Sequence, residues 1–403
     1  MATSLVLGLR LLVQAGTLLL VAWLLGPDQF GGFAGVAALA LVMGTLSPFG
    51  THLVLLGAVA KDPGQRDRIL SYAIPFTLGC ASVLLIIFLG LSGSLLKGSL
   101  PFSVAFMIGC TEIVLQPLLA LMSSEHHALG RVARAQLLQL LPLVLRLVVA
   151  AMVLLLQIPS ALVVYATGYL FVSLLALAVG MRLLPSPWPP MRAWRLPSSS
   201  ERVLAMGYAA INITKAGPSE LDKTLALRVL PPVSAGLYAA ATRVVGAATL
   251  PVAAMTLSAL PRLFRDGYAL PGTRRLLAWM LGSAFAYSTL LAAVLWLASP
   301  VFDLVFGSRY SGIGEMVRYL CAAVPGMCLR LVLGSALMAL GRPWMRVTFE
   351  LVGIVMLIVS GIVLTRHLGL VGMPMAMLIS EWVMAGLGAI FLTAVMRVPT
   401  PSR

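Results

Sequence analysis

Charge is what this sequence has least of. Only 10% of its 403 residues are Asp, Glu, Lys or Arg, where an ordinary soluble domain carries about 25%. That excludes a solvated globular enzyme and a disordered chain alike. Cysteine is almost as sparse. Cys80, Cys110, Cys321 and Cys328 all fall inside apolar stretches, and no two make a C-x-x-C pair. A disulfide-stapled secreted domain and a zinc site of the usual spacing are excluded. The histidines offer no metal spacing either: His52, His126, His127 and His367 are few, and the adjacent pair would point apart on a helix. No P-loop pattern is present, so hydrolysis of ATP by this chain is not expected. No acid pair or Ser/His/Asp set stands where it could catalyse bond making, and we expect no enzyme.

What is present is apolar sequence. Hydrophobic residues make up 60% of the chain and the mean hydropathy is +1.01. A helix crosses a bilayer with about 20 apolar residues. Runs broken by Gly, Pro or charge give twelve spans, near 5–25, 33–59, 70–92, 102–122, 137–156, 160–181, 205–228, 233–259, 277–299, 315–340, 346–365 and 370–396. The expected fold is an all-α polytopic membrane protein. The first run lacks a basic leader and reads as a membrane helix rather than a cleaved signal.

The longest polar stretch, 182–204, holds Pro185, Pro187, Pro189, Pro190 and Pro197. It is expected to link an N-terminal bundle (1–181) to a C-terminal bundle (205–403), six spans each. The halves echo one another. Leu25-Gly26-Pro27 through Phe33-Ala34 and Leu230-Pro231-Pro232 through Tyr238-Ala239 share the pattern Leu-x-Pro-x-x-x-Gly-x-aromatic-Ala, 205 residues apart. A parallel repeat around a central cavity is a transporter architecture.

Net charge is +15, and its placement orients the chain. Lys61, Arg66, Arg68, Arg131, Arg134, Arg182, Arg192, Arg195, Arg202, Arg262, Arg265, Arg274, Arg275, Arg342, Arg346, Arg397 and Arg403 fall in alternate loops. Only Lys97, Arg228, Arg309, Arg318 and Arg366 fall on the other side. The positive-inside rule then puts both termini in the cytoplasm. No basic segment outside the spans suggests nucleic acid.

Other bases sit where lipid would penalise them. Arg10, Arg146, Lys215, Arg243 and Arg330 lie within spans, as does Lys223, and so do the acids Glu112, Glu220, Asp222 and Glu381, with Glu350 near an end. Intramembrane charge normally faces a cavity or a partner. On the seventh span Asn212, Lys215, Ser219 and Asp222 share one helical face. Two readings follow: ion pairs that bind helices together, or a cationic lumen. The surplus of bases favours the lumen. Its five bases would bind phosphate oxygens. Gln116, Tyr208, Asn212 and Tyr238 would contact sugars. Glu112, Asp222 and Glu381 would serve as counter-ions or as carboxylates coupled to H+ or Na+. No other cofactor is expected.

Two segments carry a family resemblance. Leu24-Leu25-Gly26-Pro27-Asp28-Gln29-Phe30-Gly31 resembles the LLGP-x-x-[FY]-G turn of bacterial polysaccharide flippases. Asp222-Lys223 through Gly236-Leu237-Tyr238-Ala239-Ala240-Ala241 and Arg243 resembles their D-[RK]…G-x-Y-x-x-A-x-[RK] segment, and Leu260-Pro261 their exit from span eight. These are the O-antigen and exopolysaccharide flippases of the multidrug/oligosaccharidyl-lipid/polysaccharide exporter (MOP) superfamily. The resemblance implies a multi-pass protein of the bacterial inner membrane. It would move undecaprenyl-pyrophosphate-linked oligosaccharide between leaflets by alternating access. Membrane lipid and the polysaccharide polymerase and chain-length proteins would be its partners. The alternatives are a multidrug or cation exporter of the same superfamily, against which the surplus of bases argues, and a membrane-embedded glycan polymerase or ligase, against which the short outward loops argue.

Overall fold

Gly26 decides how the chain begins. In the computed structural model, which describes residues 2–94, 96, 98–266 and 271–397, helix α1 (Ala2–Leu46) is broken at Gly26, with φ 68° and ψ 168°. That backbone is open to glycine and strained for other residues. Pro27, lacking an N–H, begins the second limb without losing a bond. The first two expected spans are these limbs, 2–25 and 27–46, the second prolonged by α2 (Thr51–Lys61).

The rest follows in order: α3 (Arg66–Ser94), α4 (Phe102–Gly109), a π-helical turn (Cys110–Leu115), α5 (Gln116–Ala128), α6 (Val132–Leu155), α7 (Ala161–Leu183), α8 (Ser199–Val229), α9 (Pro232–Ala247), α10 (Leu250–Asp266), α11 (Pro271–Leu297), α12 (Ser299–Phe306), α13 (Ile313–Cys321), α14 (Val324–Ala339), α15 (Pro343–Leu368) and α16 (Gly372–Arg397). Several are pieces of one span. α9 and α10 are bent by 41° at their junction, and α13 and α14 by 50°. Taken so, the helices form twelve crossing segments, and no strand occurs among the described residues. Length and apolarity alone find seven such helices, or nine counting each bent pair. The lower number arises because α1 counts once across Gly26 and α15–α16 once across residues 369–371. The charges on α8 also keep it below the apolar threshold.

The helices divide by contact into two compact units, residues 1–228 and 229–403. The boundary lies after α8, whereas the sequence reading places it at 182–204. The reason is local. Thr224 Oγ1 donates to the Gly35 carbonyl at 2.9 Å, and a Cβ at Gly50 would strike the backbone of Ala205. α8 therefore lies on the second limb of α1 and the elbow that leads to α2.

Segment 184–198 does not hang free. Arg66 donates to the carbonyls of Ser186 at 2.7 Å and Pro187 at 3.3 Å. Arg66 is itself bonded to Glu125 at 2.6 Å, and Trp188 Nε1 donates to the other Glu125 oxygen at 3.4 Å. Trp188 and Trp194 add to a core of Leu55, Leu70, Ile74, Leu118 and Leu121. The stretch is thus a docked strap on unit 1. Arg66, expected in a solvated loop, is buried because α3 begins there beside Glu125 of α5.

Candidate functional site

Each unit buries its own ionic cluster, where the fourth to sixth crossing segments meet in unit 1 and the last three in unit 2. In unit 1 the π-helical turn presents Glu112. Such a turn inserts an extra residue and often marks a functional position. Gly44 of α1 lies against it, since a Cβ at 44 would collide with the Glu112 carbonyl. Arg146 of α6 reaches Glu112 Oε1 at 3.3 Å. Tyr169 of α7 donates its hydroxyl to the same oxygen. The Arg146 guanidinium lies 3.7 Å from the centroid of the Tyr169 ring and donates to Ser173 Oγ at 3.2 Å. Phe33 of α1 closes the cluster edge-to-face on Tyr165 and Tyr169, at 5.5 and 6.2 Å. Glu112 and Arg146 are both buried.

In unit 2, Arg330 of α14 donates to Glu381 of α16 at 2.7 Å and lies 3.9 Å from Glu350 of α15. Arg346, one turn before Glu350, donates to it at 3.0 Å. Its guanidinium crosses α14 at Gly334, where a Cβ would sit 3.1 Å from Nε. Arg346 also meets Met338 Sδ at 2.7 Å. All four charged groups are buried. Arg346, expected in a loop, stands inside α15, because the helix begins at Pro343.

A third cluster lies on α8. Lys223 lies 3.3 Å from both Glu220 and Asp222, and donates to the Ser219 carbonyl. About two turns towards the start of this helix from Ser219, Asn212 Nδ2 is 3.4 Å from His52 Nε2 of α2.

These pairings bear directly on the expected cationic lumen. Arg146 lies in unit 1 and Arg330 in unit 2, each opposite a carboxylate at salt-bridge distance. Glu112 and Glu381 are those carboxylates, and Asp222 lies 3.3 Å from Lys223. Arg243 of α9 is exposed. The side chains of Arg10 and Lys215 lie outside the described residues. Of the expected sugar contacts, Tyr208 and Asn212 stand at the α1–α2 elbow, where Gly50 lies against Tyr208. Gln116 is half-buried. Tyr238 is fully buried, its hydroxyl 3.4 Å from Met377 Sδ of α16. Nor do the described residues show a surplus of buried bases. Among the described residues the buried charges are Arg66, Arg146, Lys223, Arg330 and Arg346 against Glu112, Glu125, Asp222, Glu350 and Glu381. Five stand against five because a buried charge must be compensated. No group of three His, Cys, Asp or Glu suited to a metal occurs among the described residues.

Sequence reasoning missed Tyr169 and Ser173, whose types alone carry no charge signal. It also missed a second repeat. Ala128-Leu129-Gly130-Arg131 recurs as Ala339-Leu340-Gly341-Arg342, 211 residues on. The backbone repeats with it. Leu129, Gly130 and Arg131 donate to Glu125, His127 and His126, while Leu340, Gly341 and Arg342 donate to Ala336, Met338 and Leu337. The two glycines have φ of 72° and 74°, the left-handed stop that ends a helix.

Twelve crossing segments with matched turns invite comparison with solved transporters. The chain aligns with an inward-facing multidrug resistance MATE family transporter of the MOP superfamily at a TM-score of 0.75 and 15% identity, over 97% of this chain and 96% of that one. The fold is that of the MATE transporters. An outward-facing MATE family transporter of the MOP superfamily gives a TM-score of 0.63 at 15% identity, covering 98% and 96%. A MOP superfamily transporter from Pyrococcus furiosus, described as having a binding pocket of reversed polarity that suggests a different function, gives 0.64 at 14% identity, covering 98% and 95%. No protein-family model matches the sequence, and no curated protein does.

Proposed function

We propose that this chain is an alternating-access exporter of the MOP type, and that its substrates are amphiphilic organic cations rather than polyprenyl-pyrophosphate-linked glycans. The MATE fold supports transport. The substrate class rests on one observation: the buried bases of the described interior are matched one for one by acids. An anionic substrate was expected from unpaired bases. With Arg146 and Arg330 each held at a carboxylate, two of the five bases expected to bind phosphate are already paired, which leaves the anionic reading with less support. A proton or sodium gradient across the bacterial inner membrane would drive the cycle, with both termini in the cytoplasm.

Full-length chain in proteoliposomes tests this. A trapped cationic dye is expected to be exported when a proton or sodium gradient is imposed, and to be retained when both are collapsed. A deletion strain is expected to accumulate no lipid-linked glycan. Accumulation of that glycan, with no dye movement in vesicles, overturns the proposal. It would favour the flippase reading instead, which the segments Leu24–Gly31 and Asp222–Arg243 support.

A further inference from the structure

The strap 184–198 does more than connect two helices. It walls a groove of about 520 Å³ against the end of α7 and the flank of α3. Met181, Arg182, Trp188, Trp194, Met191 and Ile74 line it. The walls are stiff. Arg66 holds two strap carbonyls, Glu125 holds Trp188, and Trp194 Nε1 donates to the Pro189 carbonyl at 3.3 Å. A second clamp fixes the far end. Arg195 makes two bonds to Glu201, at 2.7 and 2.8 Å, and lies over the ring of Tyr72 at 4.8 Å.

Three features narrow the occupant. First, the groove sits at the end of a helix long and apolar enough to cross a membrane, Ala161–Leu183, and the ends of such helices meet lipid headgroups. Secondly, its chemistry is amphiphilic. Trp, Met and Ile offer apolar surface, and Arg182 offers one guanidinium. The prolines at 185, 187, 189 and 190 have no N–H to give. A free phosphate or nucleotide is normally bound by several converging donors, which this lining lacks. Thirdly, the surroundings are cationic and apolar at once. Arg182 and Arg192 are exposed and have no ion-pair partner among the described residues. Met191 and Leu196 are 77% and 81% exposed, where apolar side chains gain by entering a bilayer surface.

We infer that this groove binds the headgroup of an anionic phospholipid, Arg182 engaging its phosphate from the groove wall and exposed Arg192 adding positive charge beside it, while Met191 and Leu196 rest in the leaflet. The inference is independent of what the protein exports. It assigns the strap a lipid ligand on the membrane face that the arginine distribution marks as cytoplasmic.

Native mass spectrometry of the purified full chain, titrated with phosphatidylglycerol or phosphatidylcholine, tests it. The first phosphatidylglycerol adduct is expected at a lower lipid concentration than the first phosphatidylcholine adduct. Arg182→Gln with Arg192→Gln is expected to weaken it roughly thirtyfold, as loss of two surface bases does. Arg182→Lys should retain most binding, and Arg309→Gln on unit 2 should change nothing. Both altered arginines are exposed, and tryptophan fluorescence verifies that the strap stays docked. Equal binding of the two lipids, or an unchanged double variant, overturns the inference. So does displacement of the adduct by millimolar inorganic phosphate, which would make the ligand a free anion.

Discussion

The two units solve one problem with different chemistry. At the helix-ending glycine they are superposable in sequence and backbone: Ala-Leu-Gly-Arg, the same three hydrogen bonds, the same positive φ. One turn further they part. Gln139 of unit 1 donates to Ser123 at 3.0 Å, and Ser123 to the Ala135 carbonyl at 3.1 Å. The positions 211 residues later are Glu350, Gly334 and Arg346. Where unit 1 has a neutral hydrogen-bond bridge between α5 and α6, unit 2 has an ion pair within α15, Arg346 with Glu350, whose guanidinium lies against α14 where Gly334 makes room. The deeper clusters differ in sign as well. In unit 1 the acid is on the fourth crossing segment and the base on the fifth, Glu112 and Arg146. In unit 2 the base is on the tenth and the acids on the eleventh and twelfth, Arg330, Glu350 and Glu381. What the duplicated architecture preserves is a compensated polar contact joining these helices, and the residue types that supply it are free to change.

That comparison can be broken. The largest effect is expected in unit 2. Glu381→Leu strands Arg330 beside the already engaged Glu350, and removal of one partner of a buried pair costs about 3–5 kcal/mol. Thermal unfolding of the purified chain would show it, and an unshifted midpoint would mean the network is not holding α14 to α16. In unit 1, Tyr169→Phe deletes one hydroxyl bond to Glu112 and keeps the ring under Arg146. A loss of about 1.5–3 kcal/mol is expected for a bond to a charged group, smaller than for Glu381→Leu by the same assay.

The next experiment sharpens the contrast. Arg346→Ala with Glu350→Gln gives α15 of unit 2 the side chains of Ala135 and Gln139 in unit 1, without the hydroxyl of Ser123. Exchanging a buried ion pair for neutral groups is often near neutral, so the double variant is expected to unfold within about 1 kcal/mol of the parent. Arg346→Ala alone should cost more than the double change, because it leaves Glu350 with a more distant base. Additive losses in that cycle would show that the two residues act separately.

The smallest effect concerns the strap. Arg195, through its two hydrogen bonds, holds the Glu201 carboxyl down to about 2 from the usual 4.5. A carboxyl lowered by folding stabilises fully above its unfolded value. That contribution fades as pH falls from about 4.5 towards 2. Strap docking, read by tryptophan emission, should therefore be insensitive to pH between 5 and 8 (on the order of a full neutral range) and loosen in the acid window. Glu201→Gln should remove that acid dependence.

Much of the fold was legible because lipid is an undemanding solvent to read. Every crossing segment must satisfy its backbone internally, so each is a helix with an apolar signature. The Pro27 and Pro231 turns marked where two of them begin. α8 was the hardest to place, because Lys223, Glu220 and Asp222 break its apolar run and its neighbours lie 160 to 190 residues away in sequence, at His52 and Gly35. The charged residues within spans were equally visible, but their meaning was not. Counting Arg146 and Arg330 among bases suggested a shared attraction for phosphate. Only folding shows which carboxylate each one meets.

The amino-acid order alone determined that this chain enters the membrane, how many times it crosses, and that its halves are related, since these depend on hydropathy and on local backbone stops. Tertiary structure decided how the buried charges cancel, why segment 184–198 is a wall rather than a tether, and where the contact boundary falls. Those outcomes depend on side chains brought within about 3 Å of one another, some from neighbouring turns and some from 50 residues away or more, and at that range an ion pair is set by geometry that composition does not encode.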